Sequence, residues 1–216
     1  MTPGGDDATS GGHPDPRPEP LTAVGTDRLA CCLTFDDGPN GEDTERLLAA
    51  LAERGILAVF CIVGSQIQRP GGAEVLRRIA RDGHVIANHA TSFDDMGAWS
   101  PERVRADLIE NLRVIRLVLG ENHPVPYWRA PNASWGRTCE VAVSLGMQPL
   151  GFSSHIEDWV EQDADVLAAR LREAIVPGAL VVLHDGGGDR AGTVDAAIRV
   201  VDELLARGWS FVLPSS

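Results

Sequence analysis

Residues 29–38, with the sequence LACCLTFDDG, place two adjacent carboxylates directly after a run of small and apolar residues. The apolar run predicts a buried strand, and Gly38 followed by Pro39 predicts the turn that ends it. Acidic groups at the C-terminal end of a buried parallel strand lie where α/β barrels carry their active sites. Because Asp is also a favoured N-cap residue, the alternative is that Asp36 and Asp37 only cap the following helix.

The composition limits the range of functions. With 216 residues the chain is long enough for one domain with a sizeable core. Its net charge of −12 argues against nucleic acid or an anionic membrane surface as a partner. Every basic residue is arginine, so Schiff-base chemistry on a lysine is excluded.

The N-terminal residues differ in composition from the rest of the chain. Residues 1–27 are rich in Gly, Pro, Asp and Thr, which predicts a disordered tail before a domain over residues 28–216. This tail contains neither a basic segment nor an apolar run, so it does not match a secretory signal. No later stretch has the length of a membrane span. We therefore expect a cytoplasmic protein.

The four cysteines form no C-x-x-C pair, and three of them fall in predicted buried strands. This pattern is typical of buried free thiols and does not support a structural zinc site.

Strands and helices alternate along the chain, about seven of each, with short loops and no internal repeat. Such alternation predicts a parallel α/β sheet, either closed as a barrel or open and doubly wound. No G-x-G-x-x-G or Walker motif is present, which disfavours nucleotide binding. Besides the first strand, the predicted strands cover residues 58–63, 85–88, 127–130, 147–153, 179–183 and 210–213. The predicted helices cover residues 42–54, 73–81, 100–119, 138–145, 164–175 and 193–206.

Polar groups with catalytic potential recur where the predicted strands end. In a barrel these ends meet on one face, so the side chains are expected to converge there. Any one of them has an ordinary explanation, such as a loop histidine, but their recurrence favours a site. They are Asp36, Asp37, His89, Arg129, Asp158, His184 and Asp185.

Five short motifs occur in one order along the chain: TFDDG at 34–38, GHVIANH at 83–89, RAP at 129–131, DW at 158–159 and LHD at 183–185. With these motifs the chain resembles the polysaccharide deacetylase family, which has the NodB homology domain and is also called carbohydrate esterase family 4. The resemblance extends from about residue 29 to residue 213. It implies a distorted (β/α) barrel of about seven parallel strands and a metal-assisted amide hydrolase, most simply an N-deacetylase.

The resemblance also implies roles for individual residues. Asp36 would be the general base that deprotonates the attacking water, and Arg129 would keep it ionised and oriented. His184 would be the general acid that protonates the leaving amine, with Asp158 tuning its pKa. These roles suit amide hydrolysis, which needs an activated water and an acid for the poor leaving group.

The remaining implied roles concern the metal and the acyl group. Asp37 and His89 would bind a divalent metal, expected to be zinc. The backbone amide of Asn132 would help to hold the tetrahedral oxyanion. Trp159 and Val182 would line the slot for the acetyl methyl group.

The chain departs from the family pattern at three positions. The second histidine of the H-[S/T]-x-x-H motif is replaced by Phe93, and a phenyl ring cannot bind a metal. Two ligands make a weak site because catalytic zinc usually has three protein ligands. Asp94 or Asp95 could supply the third if the loop shifts, since carboxylates also bind zinc. His155 stands where the family often has Asp, as either a loop residue or a substrate contact. Asn132 replaces a usual Tyr or Phe.

Three functional hypotheses follow. The first is an N-deacetylase that acts on an acetylated amino sugar, as a small molecule or a short oligosaccharide. The second is a catalytically silent family member that binds a sugar or a partner, which the loss of a histidine at Phe93 would favour. The third is a metal-independent hydrolase of a cyclic amide or ureide.

Overall fold

A parallel β-sheet surrounded by helices organises the chain in our computed structural model, which describes residues 15–214. The strands are β1 (Ala30–Gly38), β2 (Val59–Ile62), β3 (Val85–Asn88), β4 (Tyr127–Trp128), β5 (Gln148–Pro149), β6 (Ser154–His155), β7 (Leu180–His184) and β8 (Ser210–Phe211). The helices are α1 (Gly41–Glu53), α2 (Gly64–Ile67), α3 (Gly72–Arg81), α4 (Pro101–Leu119), α5 (Thr138–Ser144), α6 (Ala164–Ala174) and α7 (Ala191–Ala206), with a 3₁₀ turn at Pro131–Ala133.

The sheet is curled into an incomplete barrel. Seven strands follow the order β5-β4-β3-β2-β1-β7-β6, and β8 pairs with the beginning of β1. All of these pairings are parallel, so the C-terminal ends of the strands meet at one edge. The prediction of a distorted (β/α) barrel of about seven parallel strands is confirmed, and the open, doubly wound alternative is not.

The central strand β1 separates two apolar clusters. Successive side chains of a strand point to opposite faces, so Leu33 and Phe35 pack with the helices while Cys32 packs inside the curl of the sheet. Thr34 and Asp36 share the inner face with Cys32. The inner face is therefore apolar near the start of the strand and polar near its end.

Local sequence signals explain the helix bounds. Ser100 caps α4 by accepting a hydrogen bond from the Arg103 amide, and Pro101 occupies the first helical position. Asp163 caps α6 in the same way, accepting from Asp165 and Val166. Asp36 and Asp37 do not act as caps, because both belong to β1 and the N-cap of α1 is Asn40.

One predicted strand is wrong in form. Residues 147–153 were expected to form one strand, whereas the structure has only the short strand β5 followed by a loop in this range, and β6 begins just beyond it. The carbonyl oxygens of Leu150 and Gly151 in this loop accept hydrogen bonds from the Arg129 guanidinium. Because these carbonyls bind a side chain, they do not continue a strand ladder.

Part of the expected tail lies against the sheet. The Leu21 amide donates to the Pro149 carbonyl at 2.9 Å, and the Val24 amide donates to the Gly178 carbonyl at 3.0 Å. These bonds place residues 21–24 in the space between β5 and β7, where Val24 is buried. Residues 21–24 therefore lie against the folded domain, whereas residues 1–14 lie outside the described residues and the predicted boundary after residue 27 stays a prediction.

Two further expectations concern composition. All four cysteines are buried and free, as predicted. Within residues 15–214, the helices are too short or too polar to cross a lipid bilayer.

Candidate active site

A cavity of about 590 Å³ opens at the C-terminal edge of the sheet. It receives side chains from the ends of β1 and β7 and from the loops that follow β3, β4, β5, β6 and β7. All nine predicted site residues except Asp158 line it. The lining residues are Asp36, Asp37, His89, Phe93, Arg129, Ala130, Pro131, Asn132, Ala133, Phe152, His155, Trp159, Val182, His184, Gly187 and Arg190.

Asp36 and Arg129 form a buried ion pair in the cavity floor. Arg129 Nη1 lies 2.7 Å from Asp36 Oδ1 and also donates to Thr34 Oγ1 at 2.6 Å. Both charged residues are almost completely inaccessible to solvent. Burial alone would raise the pKa of Asp36, but the Arg129 guanidinium, assisted by His89 and His184, holds it below its usual value. Asp36 is therefore ionised and firmly oriented.

His184 is held by Asp158 through two hydrogen bonds. The ring Nδ1 lies 2.8 Å from Asp158 Oδ1, and the His184 backbone amide donates to Oδ2 at 2.8 Å. Thr193 Oγ1 also donates to Oδ2, so both oxygens of the fully buried carboxylate have hydrogen-bond partners. Burial would lower the pKa of His184, but the bond to Asp158 raises it above its usual value. Asp158 thus acts on the cavity through His184.

Asp37 and His89 meet at the cavity wall. His89 Nδ1 lies 2.8 Å from the Arg129 carbonyl oxygen, so this nitrogen carries the proton and donates. His89 Nε2 then faces Asp37 Oδ1 at 3.4 Å. Burial would lower the pKa of His89, whereas the nearby Asp36 and Asp37 raise it above its usual value. In the neutral form of the ring, the Nε2 lone pair and the Asp37 oxygen are suited to share a divalent ion, which would displace the proton that the carboxylates favour.

Asp37 and His89 are suitable zinc ligands by type, but they are only two. Phe93 stands at the cavity wall with 41% of its surface exposed and offers no ligand atom. Among residues 15–214, no group of three His, Cys, Asp or Glu side chains is arranged to hold one ion. The structure thus supplies two of the three ligands that a tightly bound catalytic zinc normally has.

Neither Asp94 nor Asp95 replaces the lost histidine. Both are exposed, and neither lines the cavity. Asp95 accepts hydrogen bonds from Ser134 Oγ and from the Gly97 amide, which turn its carboxylate toward the neighbouring loop. In this conformation of the loop neither carboxylate lies at the metal site, and a third ligand from Asp94 or Asp95 after a loop shift stays a prediction.

The residues expected at the acyl slot lie together at the cavity. Val182 and His184 are two residues apart on β7 and therefore share a face. The Trp159 ring meets the His184 ring edge-on, with 5.6 Å between centroids. Asn132 has φ 56° and donates from Nδ2 to the Phe93 carbonyl at 3.3 Å, which links the two loops.

His155 lies at the cavity rim and does not point away as an isolated loop residue would. Its ring centroid is 5.2 Å from that of Trp159 and 6.0 Å from that of Phe152. These three rings form an aromatic wall on the side of the cavity next to His184.

The glycines after His184 allow a very close approach to β1. A Cβ atom on Gly186 would lie 2.0 Å from the Asp37 carbonyl oxygen, a distance that no side chain tolerates. Gly187 has φ 74° and also lies against the Asp37 side chain. This contact fixes the position of Asp37 relative to His184.

Sequence reasoning did not identify Arg190 and Phe152 as lining residues. Phe152 lies in the loop between β5 and β6, where the sequence predicted a strand. Arg190 follows a glycine-rich loop at a strand end, and that position in a parallel fold was the available signal.

Comparison with known proteins agrees with this geometry. The sequence profile described as polysaccharide deacetylase matches residues 24–150. A chitooligosaccharide deacetylase from Sinorhizobium fredii is 31% identical over 185 residues, which are 84% of this chain and 83% of that protein. A peptidoglycan-N-acetylglucosamine deacetylase from Bacillus cereus is 28% identical over 189 residues, which are 85% of this chain and 66% of that protein.

Among solved structures, a CE4 family pseudoenzyme from Bacillus anthracis superposes with a TM-score of 0.81 at 21% identity. The match covers 90% of this chain and 67% of that protein. At this level of identity the likeness concerns the fold alone.

Proposed function

Because the chain belongs to the polysaccharide deacetylase family, we propose that it is a hydrolase that removes the acetyl group from an N-acetylated amino sugar. The observation that supports this most directly is the pairing of two differently tuned groups in one cavity. Arg129 keeps Asp36 ionised, and Asp158 favours the protonated form of the His184 imidazole. An amide hydrolase needs such a base and such an acid on either side of the scissile bond.

In the proposed reaction Asp36 accepts a proton from water as its oxygen attacks the amide carbonyl. The Arg129 pair keeps Asp36 unprotonated between turnovers, and the hydrogen bonds from Arg129 to two loop carbonyls prevent the guanidinium from moving. The carbon–oxygen bond forms while the carbonyl electrons move to its oxygen. The backbone amide of Asn132 is proposed to stabilise this oxyanion.

Collapse of the tetrahedral species then requires a proton on the nitrogen. His184 supplies it, and the carbon–nitrogen bond breaks to give acetate and a free amine. Asp158 compensates the charge of the imidazolium before this step. Trp159 and Val182 form the apolar surface on which we place the acetyl methyl group.

A divalent ion is proposed as a weakly bound partner of Asp37 and His89. When bound, such an ion would polarise the amide carbonyl and the attacking water. Because Phe93 provides no third ligand, we expect a dissociation constant far above that of a three-ligand zinc site.

The proposed substrate class follows from the relatives. Proteins of the family that match over more than four-fifths of this chain deacetylate chitooligosaccharides or peptidoglycan N-acetylglucosamine. The cavity volume of about 590 Å³ suits one or two sugar rings. We therefore place an N-acetylated amino sugar or a short oligosaccharide of such units in it.

The specific observation that favours a second function is the phenyl group at position 93. If the two-ligand set binds no ion, the cavity would hold an acetylated sugar without hydrolysing it. The chain would then be a binding protein with an intact base and acid.

A deacetylation assay distinguishes the two functions. Short N-acetylated chitooligosaccharides are incubated with the protein, with and without added zinc or cobalt, and the free amine is quantified. We expect activity that rises with added metal and falls by at least about 10³-fold in Asp36→Asn. Asp202→Asn, which changes an exposed ion pair with Arg54, is the matched control and should retain activity. Sugar binding without amine release at saturating metal would instead establish the binding function.

A further inference from the structure

Arg190 presents a guanidinium to the cavity from an almost fully buried position. It lies just before α7 with 6% of its surface exposed and lines the cavity. Nε donates to the Gly186 carbonyl at 2.7 Å, and Nη1 donates to the Asp158 carbonyl at 2.6 Å. Nη2 has no hydrogen-bond partner within residues 15–214 and is not enclosed, so it is open to the cavity.

The guanidinium also has no carboxylate partner. Arg129 is paired with Asp36 and His184 with Asp158, but within residues 15–214 no Asp or Glu carboxylate oxygen lies within 4.0 Å of the guanidinium nitrogens of Arg190. The one carboxylate that contacts this residue, Asp43, accepts from the Arg190 backbone amide at 2.9 Å. Two carbonyl dipoles fix its position without neutralising its charge. A buried cation held in this way gains strongly from an opposite charge.

The cavity as a whole contrasts with the acidic chain around it. The chain carries a net charge of −12, yet the cavity is lined by only two carboxylates. Against these stand two arginines and three histidines. They are Arg129, Arg190, His89, His155 and His184.

We propose that Arg190 binds an anionic substituent, a carboxylate or a phosphate, carried by the N-acetylated amino sugar next to its acetamido group. This proposal rests on the proposed function and names the substrate class more closely. The guanidinium fork matches the geometry of carboxylate and phosphate oxygens. Neutral amino sugars bind the same cavity without this contact and therefore more weakly.

Arg190 could instead act only as a brace, because its two carbonyl bonds join the loop of Gly186 to the loop of Asp158. Loss of such a brace would disturb His184 and would affect every substrate equally. Recognition of an anion affects only the charged ones. The experiment must therefore compare matched sugars.

The probes are N-acetylglucosamine, N-acetylmuramic acid and N-acetylglucosamine 6-phosphate, which are neutral, carboxylate-bearing and phosphate-bearing. Dissociation constants are measured by calorimetry on the full chain, and kcat/KM is measured by amine release. We expect at least one anionic sugar to bind about tenfold or more tightly than the neutral one, and added salt to reduce this preference. The sugar that is preferred identifies the anion.

Arg190→Gln should abolish the preference, and Arg190→Lys should retain part of it. Arg170→Gln is the matched control, since Arg170 Nη1 also donates to a carbonyl of this loop, that of Ile156, but lies outside the cavity. It should keep the full preference. The proposal is overturned if the wild-type protein does not bind either anionic sugar more tightly than the neutral one, or if Arg190→Gln keeps that difference. It is also overturned if Arg190→Gln lowers the affinity for all three sugars by the same factor. A binding preference without amine release from any sugar would count against the deacetylase function while supporting the role of Arg190.

Discussion

Asp36 and His184 are register partners on the adjacent parallel strands β1 and β7, and both side chains reach the same cavity. The proposed base and acid are therefore separated by one interstrand spacing, which backbone hydrogen bonds maintain. Their partners come from loops: Arg129 follows β4, and Asp158 follows β6. The sheet thus sets the distance between the two proton-transfer groups. Arg129 and Asp158, which come from loops, determine which protonation state each group favours.

The first prediction concerns the buried pair at Asp36. Arg129→Lys keeps the charge but cannot reproduce the bonds to Thr34, Leu150 and Gly151. We expect the free energy of unfolding to fall by about 2–3 kcal/mol or more, because buried acceptors are left without a donor and each costs about 1–3 kcal/mol. Urea denaturation measures this. Arg54→Lys at the exposed pair with Asp202 should cost less than about 1 kcal/mol. Equal losses in the two variants would contradict the structural role of Arg129.

The second prediction concerns the pH dependence of hydrolysis. His184 must carry a proton to act as the acid, so activity should decline as pH rises through its raised pKa. Asp158→Asn removes the charge that raises this pKa. The alkaline limb of the kcat profile should therefore move to lower pH, while the acidic limb, set by Asp36, stays in place. A profile that only loses height would show that Asp158 does not tune His184.

The third prediction restores a metal ligand. Phe93→His places an imidazole at the cavity wall near Asp37 and His89, and should tighten zinc binding by at least about tenfold. Competition with a chromogenic chelator measures the affinity. Phe93→Leu changes the size of the side chain without adding a ligand and should bind zinc as the wild-type protein does. Unchanged affinity in Phe93→His would show that residue 93 cannot reach the ion.

The fourth prediction concerns stability and pH at Asp185. Burial raises the pKa of Asp185 to about 7, although Thr44 donates to its Oδ2 at 2.5 Å. The folded state therefore retains a proton that the unfolded state releases near pH 4. The stability that this proton provides is complete below pH 4 and is lost as pH rises toward 7.

Asp185→Asn removes this dependence. Above pH 7 the variant should be more stable than the wild-type protein by a few kcal/mol, since one pKa unit corresponds to about 1.4 kcal/mol. Thermal or urea unfolding between pH 4 and pH 8 measures the difference. A variant whose stability falls with pH as steeply as that of the wild-type protein would show that Asp185 is not the group responsible.

Sequence patterns predicted the elements whose signals are local. The bounds of α4 follow from Ser100 and Pro101, and those of β3 from a short apolar run before His89. The convergence of Asp36, His89 and His184 followed from the rule that parallel strands end on one face. These features depend on neighbours in the sequence or on the strand direction.

The features that were not predicted depend on contacts between distant residues. The break between β5 and β6 arises because Arg129 takes the carbonyls of Leu150 and Gly151. The order of residues 21–24 arises because the incomplete barrel leaves a gap that this segment fills. Arg190 belongs to no recognised motif, and its place in the cavity depends on the carbonyls of Gly186 and Asp158.

The pairing of β8 with β1 has a consequence for biosynthesis. These strands come from opposite ends of the described domain, and Val212 and Leu213 after β8 pack against the inner apolar cluster. The Tyr127 hydroxyl, in the same cluster, donates to the Pro214 carbonyl. Contacts of such high sequence separation form slowly and only after most of the sheet is present. We therefore expect the base of the barrel to stay open while the nascent chain leaves the ribosome. Until residues 210–214 emerge, its inner apolar surface is exposed to chaperones and to aggregation.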